Sequence, residues 1–253
     1  MERGHDHQTE FSQLVAERRW LLAAQTAAGG ESATSVVLPA LDSPADSPLT
    51  GTVHSQVIVK RLQKLNSILH HGQALAATFA ERQVQLTPDL PVPDNGRLDL
   101  FVRFPLLPQK AVFAIAFRSQ GQSRVTYHEQ KGAFYVRNRS GGLKPWQIDL
   151  FRRFALQEYW LRKQRPDLFG TSSRDKNRSA VKLLVLTGET RLGQHGDHLY
   201  TTVGEQNVLS VCNRVSLFVL REDQLIPFIQ AWFTPRAALP TPQPNAGGRG
   251  SGT

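Results

Sequence analysis

Two short apolar segments constrain the fold of this chain more than any other feature of its sequence. Ala111–Phe117 reads AVFAIAF and Ala180–Thr187 reads AVKLLVLT. Both are short, strongly apolar and close to turn-forming Pro or Gly residues, a combination that is typical of β-strands. We therefore expect both segments to be strands, with Ala180–Thr187 near the centre of a sheet, where both faces are covered.

The remaining periodic segments alternate between helical and extended patterns. The predicted helices are residues 9–26, 54–82, 145–165 and 222–233. The further predicted strands are Leu98–Phe104, Arg124–Tyr127, Ala133–Arg137, Tyr200–Val203, Val208–Val211 and Val215–Leu220. Pro88, Pro91 and Pro93 are expected to mark turns and to break any regular element there. Helices separated by a block of strands predict an α/β fold, with a mixed central sheet flanked by helices.

Composition divides the chain into three parts. Residues 27–51 and 235–253 are rich in Gly, Ser and Pro and show no sustained period. We expect residues 1–52 to hold a short helix and a flexible linker, and residues 53–234 to form one α/β domain. Residues 235–253 are expected to be a disordered tail, because such a composition cannot bury enough apolar surface to fold.

Several classes of protein are excluded by what the sequence lacks. The single cysteine, Cys212, rules out a disulfide framework and a cysteine-based zinc site, and its place beside an apolar strand predicts a core residue. No run approaches 18 apolar residues, and the first residues, MERGHDH, have no apolar stretch. We therefore expect no membrane contact, no secretory leader and a cytoplasmic location.

The positive charge is concentrated in one segment. The chain has 30 Lys and Arg against 21 Asp and Glu, a net of +9, and 22 of the 30 basic residues are Arg. Residues 118–182 hold 15 basic and 5 acidic residues, a net of +10, so the rest of the chain has a net of −1. Because arginine binds phosphate and carboxylate groups with a rigid two-pronged guanidinium, this segment predicts a surface that faces a polyanion.

The candidate nucleic-acid-binding residues lie in and around the predicted helix at 145–165. They are Arg137, Arg139, Lys144, Arg152, Arg153, Arg162, Lys163, Arg174, Lys176 and Arg178. Tyr135, Trp146, Tyr159 and Trp160 lie among them and could stack on unpaired bases, although for Tyr159 we favour a place in the core. The alternatives are a basic helix that is merely solvated and a face that docks an acidic protein partner.

Three short motifs can be compared with those of a known protein family. Arg97–Val102 reads RLDLFV, Phe113–Ser119 reads FAIAFRS on the next strand, and Pro145-Trp146-Gln147 opens the following helix. In these motifs and in the order of its elements, the chain resembles the PD-(D/E)xK nuclease superfamily, and most closely its nuclease-related (NERD) domains. The resemblance covers about residues 54–232 and implies a restriction-endonuclease-like core. In that family an Asp and a Glu on adjacent strands hold Mg²⁺, and a Lys two residues after the Glu assists.

The sequence departs from that family motif at two positions. The resemblance places Ala116 where the family has Glu, and Arg118 where it has Lys. A vestigial catalytic set of Asp99, Arg118 and Gln147 remains, with Asp99 as the single metal ligand. One carboxylate is a poor Mg²⁺ site, so we expect no cofactor, or weakly bound Mg²⁺ at most, and severely weakened or lost cleavage. Asp99 is expected to form a salt bridge with Arg118 instead.

Three functional hypotheses follow from these observations. The first is a nuclease-fold protein that binds DNA or RNA through residues 137–178 and has an impaired phosphodiesterase site. The second is an active, divergent Mg²⁺-dependent nuclease that uses Asp99. The third is a non-catalytic interaction module whose basic face docks an acidic protein and whose helix at 9–26 binds in a groove or closes an oligomer.

Two smaller clusters carry weaker chemical signals. Glu129-Gln130-Lys131 has the spacing of the family motif but lies at a predicted hairpin turn, which is a poor place for a preorganised site. His195-Gly196-Asp197-His198 could hold a transition metal. A polar surface loop is the interpretation we favour for it, because the Gly-rich segment around it offers no other ligand.

Overall fold

The computed structural model of the protein describes residues 5–28, 55–107, 111–138, 140–170, 172–213 and 215–234. The predicted linker at 27–51 lies outside these residues except for its first two positions, and the predicted tail at 235–253 lies outside them entirely. The α-helices are α1 (His5–Ala28), α2 (Ser55–Thr78), α3 (Leu150–Gln164), α4 (Ser173–Asn177) and α5 (Leu225–Trp232).

The strands form a larger and a smaller sheet. The strands are β1 (Gln85–Val92), β2 (Gly96–Arg103), β3 (Val112–Arg118), β4 (Arg124–His128), β5 (Ala133–Arg137), β6 (Leu143–Pro145), β7 (Val181–Leu186), β8 (Arg191–Leu192), β9 (Tyr200–Val203), β10 (Gln206–Asn213) and β11 (Val215–Arg221). The larger sheet has the order β1-β2-β3-β7-β11-β10-β9, and the smaller has the order β6-β5-β4-β8.

The larger sheet is mixed, and its two central apolar strands are those that the sequence predicts. β3 runs parallel to β7, and β7 runs parallel to β11, whereas the other neighbouring pairs in this sheet are antiparallel. Every residue of β3 except Arg118, and every residue of β7 except Val181, is buried. This burial on both faces explains the continuous apolar runs, because neither face of either strand meets water.

Helices and the smaller sheet cover the two faces of the larger sheet. One face packs against α1, α2 and α5 through residues such as Leu65, Ile68 and Phe228. The opposite face packs against α3 and the smaller sheet through Phe151 and Val125. The prediction of a mixed central sheet flanked by helices is therefore confirmed.

The structure contradicts the prediction that Pro88 and Pro91 exclude regular structure, whereas Pro93 lies in the turn between β1 and β2 as predicted. Pro88 and Pro91 lie inside β1, where they are opposite Leu100 and Arg97 of β2. β1 is at the edge of the sheet and pairs with β2 alone. A proline is tolerated there because the missing N–H can face the side that has no neighbouring strand.

Some helix boundaries also differ from the prediction. Pro145 ends β6 instead of opening a helix, and α3 begins at Leu150. The carboxylate of Asp149 caps α3 by accepting the backbone N–H of Arg152 at 3.0 Å, which is the usual role of Asp at this position. The predicted helix at 222–233 begins with a 3-10 turn at Glu222–Gln224 and becomes α5 at Leu225.

The first helix contributes directly to a core of the α/β fold. Leu14, Leu21 and Ala24 of α1 are buried in the same cluster as Leu62 and Leu65 of α2. Cys212, by contrast, is exposed, so its prediction as a core residue is wrong. It lies at the end of β10, where Val211 takes the inward-facing position. Among the described residues, no helix has the length and apolarity needed to cross a membrane.

Candidate functional site

The β1–β2 ribbon changes its packing face where two aspartates lie opposite each other. Leu86 and Leu100 belong to the core under α2, whereas Leu90 and Leu98 belong to the core under α3. Asp89 and Asp99 lie between the pairs Pro88–Leu100 and Leu90–Leu98, and Asp89 has a left-handed backbone with φ of 49°. This twist places two carboxylates inside the protein, with exposed fractions of 2% for Asp89 and 0% for Asp99.

Asp99 is enclosed by one backbone N–H and two cationic side chains. Its Oδ2 accepts the backbone N–H of Phe117 at 2.8 Å and a hydrogen bond from Arg118 Nη1 at 2.5 Å. Its Oδ1 lies 2.5 Å from Lys64 Nζ of α2. The last ladder pair between β2 and β3 is Leu100–Ile115, so the Asp99 side chain supplies the acceptor for the Phe117 amide beyond the end of the ladder.

The predicted ion pair between Asp99 and Arg118 is confirmed, and the geometry does not suit a Mg²⁺ site. Each oxygen of Asp99 already has a cationic partner, and Mg²⁺ binds sites that combine anionic or neutral oxygens. Ala116, at the position of the family Glu, is buried and offers no ligand atom. Within the described part of the chain, no three His, Cys, Asp or Glu side chains are grouped as metal ligands.

Asp89 is held by two arginines. Its Oδ2 lies 2.5 Å from Arg61 Nη2 of α2 and 2.8 Å from Arg97 Nε of β2. Burial by itself would raise the pKa of Asp89, but its hydrogen bonds and charge contacts with Arg61 and Arg97 outweigh burial and hold that pKa below the usual range. Arg61 also makes two hydrogen bonds to the carboxylate of Glu17 in α1, at 2.8 and 2.9 Å.

These contacts form two sets, one around Asp89 and one around Asp99, which lie at facing positions of β1 and β2 and which we together name the buried charge cluster. Its members are Glu17, Arg61, Lys64, Asp89, Arg97, Asp99 and Arg118. Four cations face three carboxylates, so the cluster carries a net charge of +1. It joins α1, α2, β1, β2 and β3, and every carboxylate in it is already paired with a cation. Such a group is suited to fixing the packing of these elements, because no unpaired carboxylate remains to act as a base or a ligand.

Five members of the cluster were not predicted from the sequence as site residues, namely Glu17, Arg61, Lys64, Asp89 and Arg97. Arg61 and Lys64 are three residues apart and lie among the apolar positions Leu62, Leu65 and Ile68 of α2. Two cations within the predicted apolar stripe of a helix are the signal that could have indicated buried acidic partners. The role of Asp89 was hidden because its segment is rich in proline.

Gln147, the third residue of the catalytic set that the resemblance implies, does not join this group. It is exposed in the bend that precedes α3. The donors to Asp99 come instead from α2 and β3. Of the predicted set, Asp99 and Arg118 are thus in contact. Lys64, and not Gln147, is the further side chain that contacts Asp99.

The predicted nucleic-acid-binding residues fall into groups with different exposure. Arg137, Lys144, Arg152 and Lys163 are exposed, whereas Arg153, Arg162 and Arg178 are partly buried. Arg139 lies outside the described residues, and so do the side chains of Arg174 and Lys176 on α4. The side chain of Arg153 donates to the carbonyl of Asn95 at 3.0 Å, and its pKa is lowered by burial and by the charge of Arg118.

Arg162 is engaged within the fold. Its Nη2 lies 2.6 Å from Oε1 of Glu158, and its guanidinium lies over the ring of Phe169, 4.2 Å from the centroid. The buried Lys182 of β7 lies 2.5 Å from the second oxygen of Glu158. Burial would raise the pKa of Glu158, but Lys182 and Arg162 outweigh it and lower that pKa. Arg162 and Lys182 therefore neutralise an internal carboxylate.

Four residues of α3 form an exposed stripe, which we name the α3 stripe. Arg152, Leu156, Tyr159 and Lys163 follow at spacings of four, three and four, which place them on one side of a helix. Tyr159 is 67% exposed and Leu156 is 37% exposed. The interpretation of Tyr159 as a core residue is therefore wrong, because Phe151, Phe154 and Leu161 form the buried face of this helix.

The other aromatic residues and the two smaller clusters have structural roles. Trp146 and Trp160 are partly buried and pack against the core under α3. His195 Nε2 accepts the backbone N–H of Tyr127 at 2.8 Å, and burial lowers its pKa. His198 Nε2 lies 2.7 Å from Oε2 of Glu129, in the turn between β4 and β5. The loop that holds His195 and His198 is thus attached to the smaller sheet through these contacts.

Comparison of the chain with protein-family models, with curated proteins and with solved structures finds no match. Functional inference for this chain therefore depends on the arrangement of its own residues.

Proposed function

We propose that this protein has a nuclease-like core, binds nucleic acid and does not cleave it. The order of α2, the antiparallel β1–β2–β3 meander, α3 and the parallel β7 supports the first part of the proposal. It is the order of elements on which the resemblance to PD-(D/E)xK nucleases depends. Asp99 on β2 and Arg118 on β3 also contact each other across the two neighbouring strands that carry the first two motifs of the resemblance.

The surroundings of Asp99 support the absence of cleavage. A metal-dependent nuclease needs a metal that polarises the phosphate and activates a water molecule. Lys64 and Arg118 occupy both oxygens of Asp99, and Asp99 itself has no exposed surface. The cations neutralise this carboxylate without a metal, and neither water nor a phosphate can reach it without a rearrangement of α2.

The observation that carries the binding proposal is the α3 stripe. A largely exposed tyrosine lies between an arginine and a lysine on one side of a helix. Cations neutralise phosphates, whereas an aromatic ring stacks on an unpaired base of any identity. We therefore propose single-stranded DNA or RNA as the preferred ligand, with Arg137 and Lys144 as further phosphate contacts.

A salt series with charge-reversed variants tests this proposal. The full-length protein is titrated into a labelled single strand and a labelled duplex, and binding is followed by fluorescence anisotropy. Arg152→Glu/Lys163→Glu should weaken binding at low salt by roughly ten- to a hundredfold. It should also reduce the slope of log K against log salt by roughly 1.4 for the single strand.

A variant pair on the opposite side of the larger sheet is the matched control. Arg19 of α1 and Lys60 of α2 are both exposed, so Arg19→Glu/Lys60→Glu makes the same change in net charge. If both pairs weaken binding equally, general electrostatic attraction explains the result and the α3 stripe is not the binding surface. Protein that binds neither ligand at low salt and co-purifies with an acidic protein would favour the interaction-module hypothesis instead.

The aromatic contact has a separate test. Tyr159→Ala should weaken binding to the single strand by about fivefold or more and should affect duplex binding little, because stacking needs an unpaired base. Tyr159→Phe keeps the ring and should bind like the wild type. Equal loss for both variants would indicate that the hydroxyl group, and not stacking, is responsible.

Cleavage is tested on the same ligands with Mg²⁺ or Mn²⁺. We expect the wild-type protein to leave both strands intact. Degradation that disappears in Asp99→Asn would overturn the non-catalytic part of the proposal and would support the divergent nuclease. Degradation that is unchanged in Asp99→Asn would indicate a contaminating enzyme.

A further inference from the structure

Three arginines lie side by side across neighbouring strands of the smaller sheet. Arg124 of β4 is the register partner of Arg137 in β5 on one side and of Arg191 in β8 on the other. All three are exposed. Neighbouring strands are about 4.8 Å apart, so the row spans roughly 10 Å at the backbone. We name Arg124, Arg137 and Arg191 the arginine row.

This arrangement is unfavourable for folding alone. Like charges on directly opposite residues of a sheet repel each other. Among the described residues, no carboxylate lies within ion-pair distance of any of the three guanidinium groups. The contrast with Arg61, Arg118 and Arg162, each held by a carboxylate, indicates that the row has its donors free for a ligand.

The arginine row lines a cavity of about 1000 Å³. The lining also includes residues 186, 188–190 and 221–223. Two of its carboxylates are engaged, because Asp223 pairs with Arg221 at 2.8 Å and Glu222 accepts the backbone N–H of Gly188 at 3.1 Å. Glu189 adds one exposed negative charge to the lining. The three positive charges of the arginine row exceed the unpaired negative charges of the lining, so the net charge of the cavity lining is positive.

We propose that the arginine row is a binding site for adjacent phosphate groups of a phosphate-rich anion. A guanidinium presents paired N–H donors that match two phosphate oxygens, and three of them in line can hold successive phosphates. The cavity is large enough for a ligand of several phosphates. Two sources offer this chemistry, namely the backbone of a nucleic-acid strand and a free oligophosphate.

This site goes beyond the proposed function and shares only Arg137 with it. Arg124 and Arg191 lie outside the segment 137–178, and only Arg137 belongs to both sets of residues. The α3 stripe could therefore fail to bind nucleic acid while the arginine row still binds phosphate. In the reverse outcome, the α3 stripe binds nucleic acid and the arginine row binds no phosphate. The two tests are therefore read separately.

Calorimetric titration of the full-length protein tests the site with two probes, inorganic tripolyphosphate and a short oligothymidylate, at low salt. The wild-type protein should bind at least one of them. Arg124→Gln/Arg191→Gln should lose at least about tenfold in affinity for that probe. Arg19→Gln/Lys60→Gln, which removes the same charge from the opposite side of the larger sheet, should stay within about twofold of the wild type.

The outcomes separate the two sources and the two proposed surfaces. Tripolyphosphate binding that depends on the arginine row supports the site with a free oligophosphate as ligand. Row-dependent binding of the oligothymidylate alone supports it with a nucleic-acid strand as ligand. Arg152→Glu/Lys163→Glu should still bind tripolyphosphate if the row is a separate site. The proposal is overturned if neither probe binds, or if the row variant and its control behave alike. The thermal midpoint of the row variant, which should not fall, excludes misfolding as the cause of lost binding.

Discussion

At the scale of single residues, Asp99 is a carboxylate whose surroundings give it a structural role. Its two oxygens meet Lys64, Arg118 and the amide of Phe117, and it has no exposed surface. The pairing with Arg118 could be predicted, because the two residues occupy neighbouring strands with two motif positions facing each other. The contribution of Lys64 could not be predicted, because it depends on how α2 packs over the sheet, which no local spacing encodes.

Removing the charge of Asp99 should therefore be costly. Asp99→Asn keeps the shape and an acceptor for the Phe117 amide but leaves Lys64 and Arg118 without their shared carboxylate. We expect the free energy of unfolding to fall by about 3–5 kcal/mol, the usual cost of breaking a buried ion pair on one side. Urea denaturation measures the change.

The exposed ion pair of Arg221 with Asp223 provides the control for this substitution. Both side chains are largely exposed, so Asp223→Asn should cost less than about 1 kcal/mol. An equally small effect of Asp99→Asn would contradict the ion pairs that enclose Asp99.

At the scale of secondary-structure elements, the sequence predicts the interior strands better than the edge. β3 and β7 are continuous apolar runs because both faces are buried. β1 was not predicted because Pro88 and Pro91 are usual turn signals, although an edge strand tolerates them. Its buried side also changes at Asp89, which interrupts the alternating pattern. The exposed position of Tyr159 could have been predicted by placing it on the helix opposite Leu150 and Leu161, which are buried.

Asp89 in the β1–β2 ribbon should make the stability of the protein sensitive to acid. The folded-state pKa of Asp89 is lowered, so below its unfolded pKa of about 3.9 the unfolded state binds more protons than the folded state. The stability that Asp89 provides is complete above roughly pH 5 and is lost as the pH falls through the folded pKa. The difference in unfolding free energy between the wild type and Asp89→Asn should therefore shrink as the pH is lowered from 5 to 3.

Urea denaturation at pH 7, 5, 4 and 3 measures this difference. Asp223→Asn serves as the control, because an exposed pair contributes little at any pH, and its profile should run parallel to that of the wild type. A difference between the wild type and Asp89→Asn that stays constant over the whole range would show that the carboxylate is not stabilised by Arg61 and Arg97.

At the scale of the whole molecule, two cores lie on opposite faces of one sheet, and charged residues join their elements. The buried charge cluster links α1 and α2 to β1, β2 and β3 on one side, while Glu158 links α3 to Lys182 of β7 on the other. The exposed basic groups, the α3 stripe and the arginine row, are both on elements that cover the α3 side. The α3 layer thus holds both proposed binding surfaces and also Arg162, whose guanidinium is held within the fold by Glu158.

Whether α1 belongs to the same folding unit as the sheet can be decided by a substitution in its buried face. Leu21 is 3% exposed and packs in the core that α2 shares with β3 and β7, and Glu17 of the same helix binds Arg61. If α1 is integral to this core, Leu21→Ala should lower the global free energy of unfolding by about 2–5 kcal/mol. Amide hydrogen exchange of β7 should then accelerate as strongly as that of α1, because the central strand opens only on global unfolding. Leu22→Ala, at a neighbouring position that is 41% exposed, should change both rates little. Faster exchange confined to α1 would show instead that the helix folds onto an already complete domain that begins near residue 53.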